Sequence, residues 1–238
     1  MPRLRPLPFL PLLLAAACAA GAAAPPAPPA EEASVKPGIN DAFLAEDADV
    51  APWVARFENS ERREIARCRD EIVAALGILP GTDLADVGAG TGLFLEPFVA
   101  AVGPEGSVAA VDISPAMVAH MDERIRAHGW TNARTVLCDA KSVGLADGSV
   151  DLVFICDTYH HFEYPLHTMA SIFRALRPGG RVAIVEFRRD PDNAWVLDHV
   201  RCSQEDVVAE LERSGFRFRG EVPVPGLEDN YLVLFERP

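Results

Sequence analysis

The chain has 238 residues, of which 49% are hydrophobic and 24% are charged. This length and composition suit one globular domain with a short extension, and they exclude a fibrous chain, a wholly disordered chain and a small disulfide scaffold. The formal net charge is -13 at pH 7. Phosphate backbones repel so acidic a body, and we therefore predict no nucleic-acid partner.

The first residues carry the features of an export signal followed by a tether. Two arginines precede an apolar run and three alanines, which is the order of a secretory signal peptide over residues 1–17. Cys18 follows the alanines and resembles the lipidated cysteine of a bacterial lipobox. Cleavage without lipidation and an uncleaved anchor are the alternatives. Residues 18–39 are rich in alanine and proline and predict an extended tether.

Localisation follows from the same segment. We expect an exported protein, either periplasmic or anchored to the membrane through a lipidated Cys18, and a cytoplasmic protein if the leader is not used.

The remaining cysteines match no CxxC or zinc-binding spacing. Those in apolar stretches are predicted to be small buried hydrophobes, namely Cys68, Cys138 and Cys156.

Residues 40–238 are predicted to form one domain in which strands and helices alternate. In chain order we predict a helix over 61–76, a strand over 83–88, a helix over 91–102, a strand over 107–113, a helix over 115–128, strands over 132–138 and 150–156, a helix over 165–176, a turn over 177–180, a strand over 181–187, a helix over 203–213 and strands over 216–224 and 231–236. This alternation predicts a parallel α/β sheet with helices on both faces.

Glycine and acidic residues follow three of the predicted strands. The first strand runs into DVGAGTG (86–92), whose glycines let a ligand approach the backbone closely. Asp112 ends the second strand, where a carboxylate can accept from both ribose hydroxyls of a nucleoside. Asp139 follows the third strand, where a carboxylate can accept from an adenine amino group. Because such sheets bind ligands at the carboxyl ends of their strands, this order describes an adenosine pocket.

A dinucleotide dehydrogenase is the natural rival of this interpretation. Its loop has the spacing GxGxxG and places a pyrophosphate on a helix N-terminus. The spacing here is GxGxG, and the carboxylate of Asp86 suits an amino group better than a diphosphate. The loop therefore argues against NAD.

These motifs, in this order, resemble those of the class I S-adenosylmethionine-dependent methyltransferases. The matching segments are ADVGAGTG (85–92), AVDI (110–113), CDA (138–140), DLVFICDTYHHF (151–162) and LRPGG (176–180). The resemblance is closest to the small-molecule branch that includes the ubiquinone/menaquinone-type enzymes. It implies a Rossmann-like, doubly wound, seven-stranded sheet in three α/β/α layers, mostly parallel with an antiparallel last strand. It also implies methyl transfer from S-adenosyl-L-methionine to a small acceptor.

The resemblance implies roles for individual residues. The cofactor-binding residues that it implies are Asp86, Gly88, Ala89, Gly90, Gly92, Asp112, Ile113, Asp139 and Ala140. Asp157, at the end of the fourth strand, is expected to face the reacting methyl group. His160 and His161 follow it and are candidate bases for an acceptor that must lose a proton, or they only hold the loop. Tyr159 and the distant His199 are further candidates.

Adjacent residues of an extended chain point to opposite sides, so we expect His160 and His161 not to share one task. A metal site formed by these two and His167 lacks a carboxylate in a recognised ligand spacing, and we predict no metal. Trp195 and His199 are candidates for walls of the acceptor pocket, or they anchor a loop. Aromatic residues near the fourth and fifth strands hint at an apolar or aromatic acceptor.

An exported non-catalytic binding or interaction module is the alternative function. S-adenosylmethionine is made and used in the cytoplasm, so an exported enzyme would lack a ready supply of its cofactor. The intact glycine loop and the two acids, Asp112 and Asp139, favour the enzyme over the module.

Overall fold

The computed structural model describes residues 27–45, 48–59 and 61–238. The predicted signal peptide, Cys18 and the first part of the predicted tether lie outside the described residues. Across the described ranges, no helix has both the length and the apolar character needed to cross a membrane.

A seven-stranded sheet forms the centre of the domain. Its strands are β1 (Asp83–Val87), β2 (Ser107–Asp112), β3 (Ala133–Leu137), β4 (Val150–Cys156), β5 (Leu176–Phe187), β6 (Arg217–Glu221) and β7 (Asn230–Glu236). They are arranged in the order β3-β2-β1-β4-β5-β7-β6. The first five strands pair in parallel, and β7 is antiparallel to both β5 and β6. The predicted Rossmann-like sheet is confirmed.

Helices cover both faces of the sheet and give the three α/β/α layers. They are α1 (Asp41–Leu44), α2 (Ala51–Phe57), α3 (Glu64–Arg67), α4 (Arg69–Ala75), α5 (Leu95–Val102), α6 (Pro115–His128), α7 (Pro165–Ala175), α8 (Ala194–His199) and α9 (Gln204–Arg213), with a 3-10 turn over Tyr159–His161. Successive strand side chains point to opposite faces, so each face has its own apolar core. One core buries side chains of α7 and α9, and the other buries side chains of α4, α5 and α6.

Most predicted elements agree with the structure, and three differ for identifiable reasons. The helix predicted over 61–76 is two short helices, α3 and α4, which meet at Cys68. Helix α5 starts four residues later than predicted because Gly92 has a φ of +80°, which is outside the helical region. The turn predicted over 177–180 is a bulge within β5. There Gly179 has a φ of +80° and the register with β4 shifts.

The described part of the predicted tether lies against the domain. Glu32 accepts hydrogen bonds from the backbone N–H groups of Leu166 and His167 at 2.9 and 3.0 Å. A carboxylate stabilises these otherwise unpaired N–H groups at the start of α7. Lys36 donates to the carbonyl oxygens at the end of α8. The body therefore includes residues before the predicted boundary at 40.

Candidate functional site

A cleft of about 830 Å³ opens at the carboxyl ends of β1 to β5. The predicted cofactor residues that line it are Asp86, Gly88, Ala89, Gly90, Asp112, Ile113, Asp139 and Ala140. Gly92 does not line it. A Cβ atom at Gly92 would come within 2.7 Å of Leu95, so this glycine serves the packing of the loop against α5.

The two other loop glycines have different surroundings. Gly88 has a φ of +75°, and a Cβ atom there would lie 2.1 Å from Cγ2 of Thr158. Gly90 has a φ of +56°, and in the part of the chain that the structure describes only Phe57, at 3.9 Å, comes near the position of a Cβ. Gly88 thus allows β1 and the end of β4 to pack closely. Gly90 leaves its backbone open to the cleft.

Asp112 is held rigidly at the end of β2. Its Oδ2 accepts from the backbone N–H of Gly90 at 2.7 Å, and its Oδ1 accepts from that of Ser114 at 2.9 Å. Burial raises the pKa of Asp112, while these backbone hydrogen bonds act in the opposite direction. Each carboxylate oxygen can accept a further hydrogen bond, so two neighbouring hydroxyl groups fit this side chain.

Asp86 carries a buried oxygen without a partner. Its carboxyl is 2% exposed, and Oδ2 makes no hydrogen bond within the described part of the chain. Burial, followed by the nearby charge of Asp112, raises the pKa of Asp86 to about 8. A buried polar atom of this kind requires a partner, and a ligand ammonium group would supply one.

Asp139, in the loop that follows β3, is an exposed residue of the cleft lining. Its Oδ1 accepts from the backbone N–H groups of Lys141 and Ser142 at 2.8 and 2.9 Å. The side chain thus orders the loop after β3. Its contact with an adenine amino group stays a prediction.

Asp157 lies where β4 meets the cleft, as predicted, but its carboxylate is already occupied. Its Oδ2 accepts from Arg63 at 2.8 Å and its Oδ1 accepts from Asn230 at 2.6 Å. The residue has a φ of +47°, and burial raises its pKa, whereas Arg63 opposes this shift. Asp157 is therefore a fixed charge rather than a free base.

Arg63 was missed as a site residue. It stands among three other arginines, at 62, 67 and 69, in a pattern typical of a solvated helix face. Its side chain is only 23% exposed, because it pairs with Asp157 and its guanidinium lies over the ring of Phe57. Nothing in the local sequence distinguishes it from its neighbours.

Three histidines meet on the β4–β5 side of the cleft. The ring centroids of His160 lie 4.5 Å from His161 and 4.9 Å from His199, and those of His161 and His199 are 5.2 Å apart. His160 and His161 lie in a 3-10 turn, so the expectation that they face opposite sides is wrong. Burial, followed by the charge of His160, lowers the pKa of His161 to about 2 and also lowers that of His199.

Two other candidates lie away from this cluster. Tyr159 is fully buried, and its hydroxyl donates to Glu210 at 2.6 Å, so it is not a base for the cleft. His167 pairs through Nδ1 with Glu32 at 2.6 Å. The histidine that joins His160 and His161 is thus His199, which the sequence places on a distant segment.

Aromatic side chains enclose the histidines. The N-terminal helices supply Phe43 and Trp53, whose centroids are 4.7 Å apart. After β5, Trp195 stacks on His199 at 4.8 Å and meets Phe187 edge-on at 5.6 Å. The role of Trp195 as a wall of the cleft was predicted, whereas the contribution of α1 and α2 was not.

The strand order, the open glycine loop after β1 and the buried acid that ends β2 define the fold of the class I S-adenosylmethionine-dependent methyltransferases. In agreement, residues 85–184 match the family described as "Methyltransferase domain". The ubiquinone/menaquinone biosynthesis C-methyltransferase UbiE of Burkholderia cenocepacia (strain HI2424) is 30% identical over 117 residues, covering 49% of this chain and 48% of that protein. The chain thus spans about half the length of the curated relatives it matches.

Solved structures share the fold over most of the chain. A SAM dependent methyltransferase from Aquifex aeolicus superposes with a TM-score of 0.71 at 24% identity, covering 80% of this chain and 99% of that chain. The cyclase SpnF superposes with a TM-score of 0.63 at 18% identity, covering 76% of this chain and 85% of that one. The fold is therefore shared by proteins described by different activities, and the activity must be argued from the site.

Proposed function

We propose that this protein is an S-adenosylmethionine-dependent methyltransferase that acts on a small acceptor. The proposal rests on an open glycine loop that lies beside two buried acids, and these two acids differ in their hydrogen bonding. Asp112 is held as a hydrogen-bond acceptor, and Asp86 has an oxygen to which no described residue donates. This donor and acceptor set fits a ligand that carries both a ribose and an ammonium group.

The chain's residues would hold the cofactor in one orientation. Asp112 would accept from the ribose hydroxyls, Asp86 would pair with the amino group, and Ile113 and Asp139 would contact the adenine. The bound cofactor supplies a methyl group that its sulfonium already activates. The protein then has to align the acceptor and exclude water, and the aromatic side chains of α1, α2 and α8 suit both tasks.

The part of the cleft around the three histidines favours a planar apolar acceptor. Phe43, Trp53, Phe187 and Trp195 offer ring faces and edges around the histidines. The curated relatives are named for ubiquinone/menaquinone biosynthesis, and we extend to this chain only the aromatic character of such acceptors. His160 and His161 would act as bases only where the acceptor has a proton to lose.

Calorimetric titration of the full chain with S-adenosylmethionine tests this proposal. Asp112→Ala should weaken binding at least about tenfold, because it removes charge-assisted hydrogen bonds that contribute roughly 1.5–3 kcal/mol each. Asp147→Ala removes an exposed carboxylate outside the cleft and is the matched control. Wild-type affinity in Asp112→Ala would contradict the placement of the ribose.

An exported interaction module that kept the fold is the second candidate, and the leader-like segment over 1–17 favours it. Folded protein that binds neither S-adenosylmethionine nor NADH would support this module.

We also propose that the protein is exported and attached to the membrane through a lipidated Cys18. The order of charged, apolar and small residues before Cys18 supports this attachment. If the leader is not used, the protein is cytoplasmic.

A further inference from the structure

We propose that His160, His161 and His199 bind one divalent transition-metal ion, with Zn²⁺ as the reference ion, beside the methyl-transfer cleft. One nitrogen from each imidazole lies within 4.8 Å of the other two. Three nitrogens at about 2.1 Å from a tetrahedral zinc ion lie roughly 3.4 Å apart. Small side-chain rotations, which move each nitrogen by about 1 Å, would therefore close the site.

The hydrogen bonds of His160 fix the orientation of its ring. Its Nδ1 lies 2.8 Å from Oε2 of Glu186, a side chain that is fully buried. The backbone N–H groups of His160 and Phe187 also donate to this carboxyl, at 3.2 and 2.8 Å. A carboxylate only accepts hydrogen bonds, so Nδ1 of His160 donates to Glu186 and Nε2 is the nitrogen left for a metal ion.

The side-chain amide of Asn40 orients the ring of His161 in the same way. Nδ2 of Asn40 donates to the carbonyl oxygen of His161 at 3.1 Å, which fixes the direction of the amide group. Oδ1 of Asn40 then lies 3.1 Å from Nδ1 of His161 and accepts a hydrogen bond from it. Both rings thus use Nδ1 for a hydrogen bond and leave Nε2 for a metal ion. Metal-binding histidines are held through their second nitrogen in this manner.

His199 would be the third ligand, and it comes from a different element. Its ring stacks on Trp195 at 4.8 Å, which restrains its orientation at the edge of the cleft. Three imidazole ligands leave a fourth position of a tetrahedral ion for water or for an oxygen of a ligand. That this oxygen belongs to the methyl acceptor rests on the proposed function, whereas metal binding itself does not.

The charges around the cluster are of both signs. Lys36 and Arg56 lie close enough to influence His199, and they oppose the binding of a cation. The buried carboxylate of Glu186 has the opposite sign and contacts His160 directly. Glu186 is therefore a positioning residue for the proposed metal.

Spectroscopic titration with Co²⁺, followed by competition with Zn²⁺, tests the site on the full chain after treatment with a chelator. Wild-type protein should bind one ion per chain and develop the visible absorption of a histidine-bound Co²⁺ ion. His199→Ala should weaken binding at least tenfold, and His161→Ala should do the same. His128→Ala changes an exposed histidine outside the cleft and should match the wild type. The absence of Co²⁺ absorption, or equal affinities of His199→Ala and His128→Ala, would overturn the proposal.

The variant Glu186→Gln tests whether Glu186 positions a metal ligand or only supports the fold. It should keep the one-to-one stoichiometry and weaken metal affinity by roughly 10- to 100-fold. The same chelator-treated samples are titrated with S-adenosylmethionine. Cofactor binding without metal binding would defeat only the metal site, and metal binding without cofactor binding would defeat only the methyltransferase proposal.

Discussion

The two acids at the ends of β1 and β2 differ in a way that predicts how a ligand binds. Both oxygens of Asp112 accept hydrogen bonds, whereas one oxygen of Asp86 has no partner among residues 27–45, 48–59 and 61–238. Burial and the charge of Asp112 raise the pKa of Asp86 to about 8. At neutral pH the free protein therefore holds Asp86 mainly protonated. A cationic amino group next to Asp86 favours the carboxylate and lowers its pKa.

Binding of S-adenosylmethionine at pH 7 should release protons. A carboxyl with a pKa of about 8 is roughly nine-tenths protonated at that pH, so up to about 0.9 proton per site leaves when the carboxyl ionises. Calorimetry in buffers of different ionisation enthalpy measures this number. Asp86→Asn should abolish the release. A binding enthalpy for the wild type that is the same in every buffer at pH 7 would refute the assigned contact.

At the scale of elements, the loop between β1 and α5 serves two purposes. Gly88 permits close packing against Thr158, and Gly90 leaves space that faces the cleft. Both have positive φ values, so an alanine at either position carries a backbone cost of about 1–2 kcal/mol. The surroundings of each Cβ position then distinguish the two substitutions.

Gly88→Ala should destabilise the fold more than Gly90→Ala does. At Gly88 the new methyl group would overlap Thr158, which adds about 1–3 kcal/mol to the backbone cost. At Gly90 the methyl group enters the cleft, so the expected loss is mainly in affinity for S-adenosylmethionine. Urea unfolding and calorimetric titration of both variants measure the two effects. Equal losses of stability would contradict the different packing of the two glycines.

Periodicity predicted the elements whose signals are local. Helix α6 begins after a serine cap, is followed by Gly129 and has the predicted bounds, and β4, which is apolar except for Asp151, also has the predicted bounds. Helices α1, α2 and α8 have only four to seven residues, too few to show a hydrophobic period. The walls that α1 and α2 add to the cleft were therefore missed, whereas Trp195 of α8 was predicted as a wall.

The candidate site was predictable where it depends on strand ends and unpredictable where it depends on distant contacts. The positions of Asp86 and Asp112 follow from the strands that they end. The pairing of Arg63 with Asp157 joins residues far apart in the chain, and so does the meeting of His199 with His160. A single sequence gives no signal for such pairs.

At the scale of the whole molecule, the described N-terminal segment connects the cleft to any anchor at Cys18. Glu32 is bound at the start of α7 and Lys36 at the end of α8, beside the histidines. The chain from Cys18 to Glu32 can span at most roughly 50 Å when fully extended. Lipidation of Cys18 would thus hold the cleft near a membrane, where apolar acceptors concentrate.

Replacing Cys18 tests this arrangement. In a bacterial host that processes lipoproteins, the full-length protein should sediment with membranes and resist a high-salt wash, because a lipid chain and not charge holds a body with a net charge of -13. Cys18→Ser should appear in the soluble fraction, and the matched change Ala24→Ser should remain with the membranes. Retention of Cys18→Ser on membranes would contradict attachment through this cysteine. Recovery of the unprocessed wild type from the cytoplasm would show that the leader is not used, and it would place the protein where S-adenosylmethionine is made.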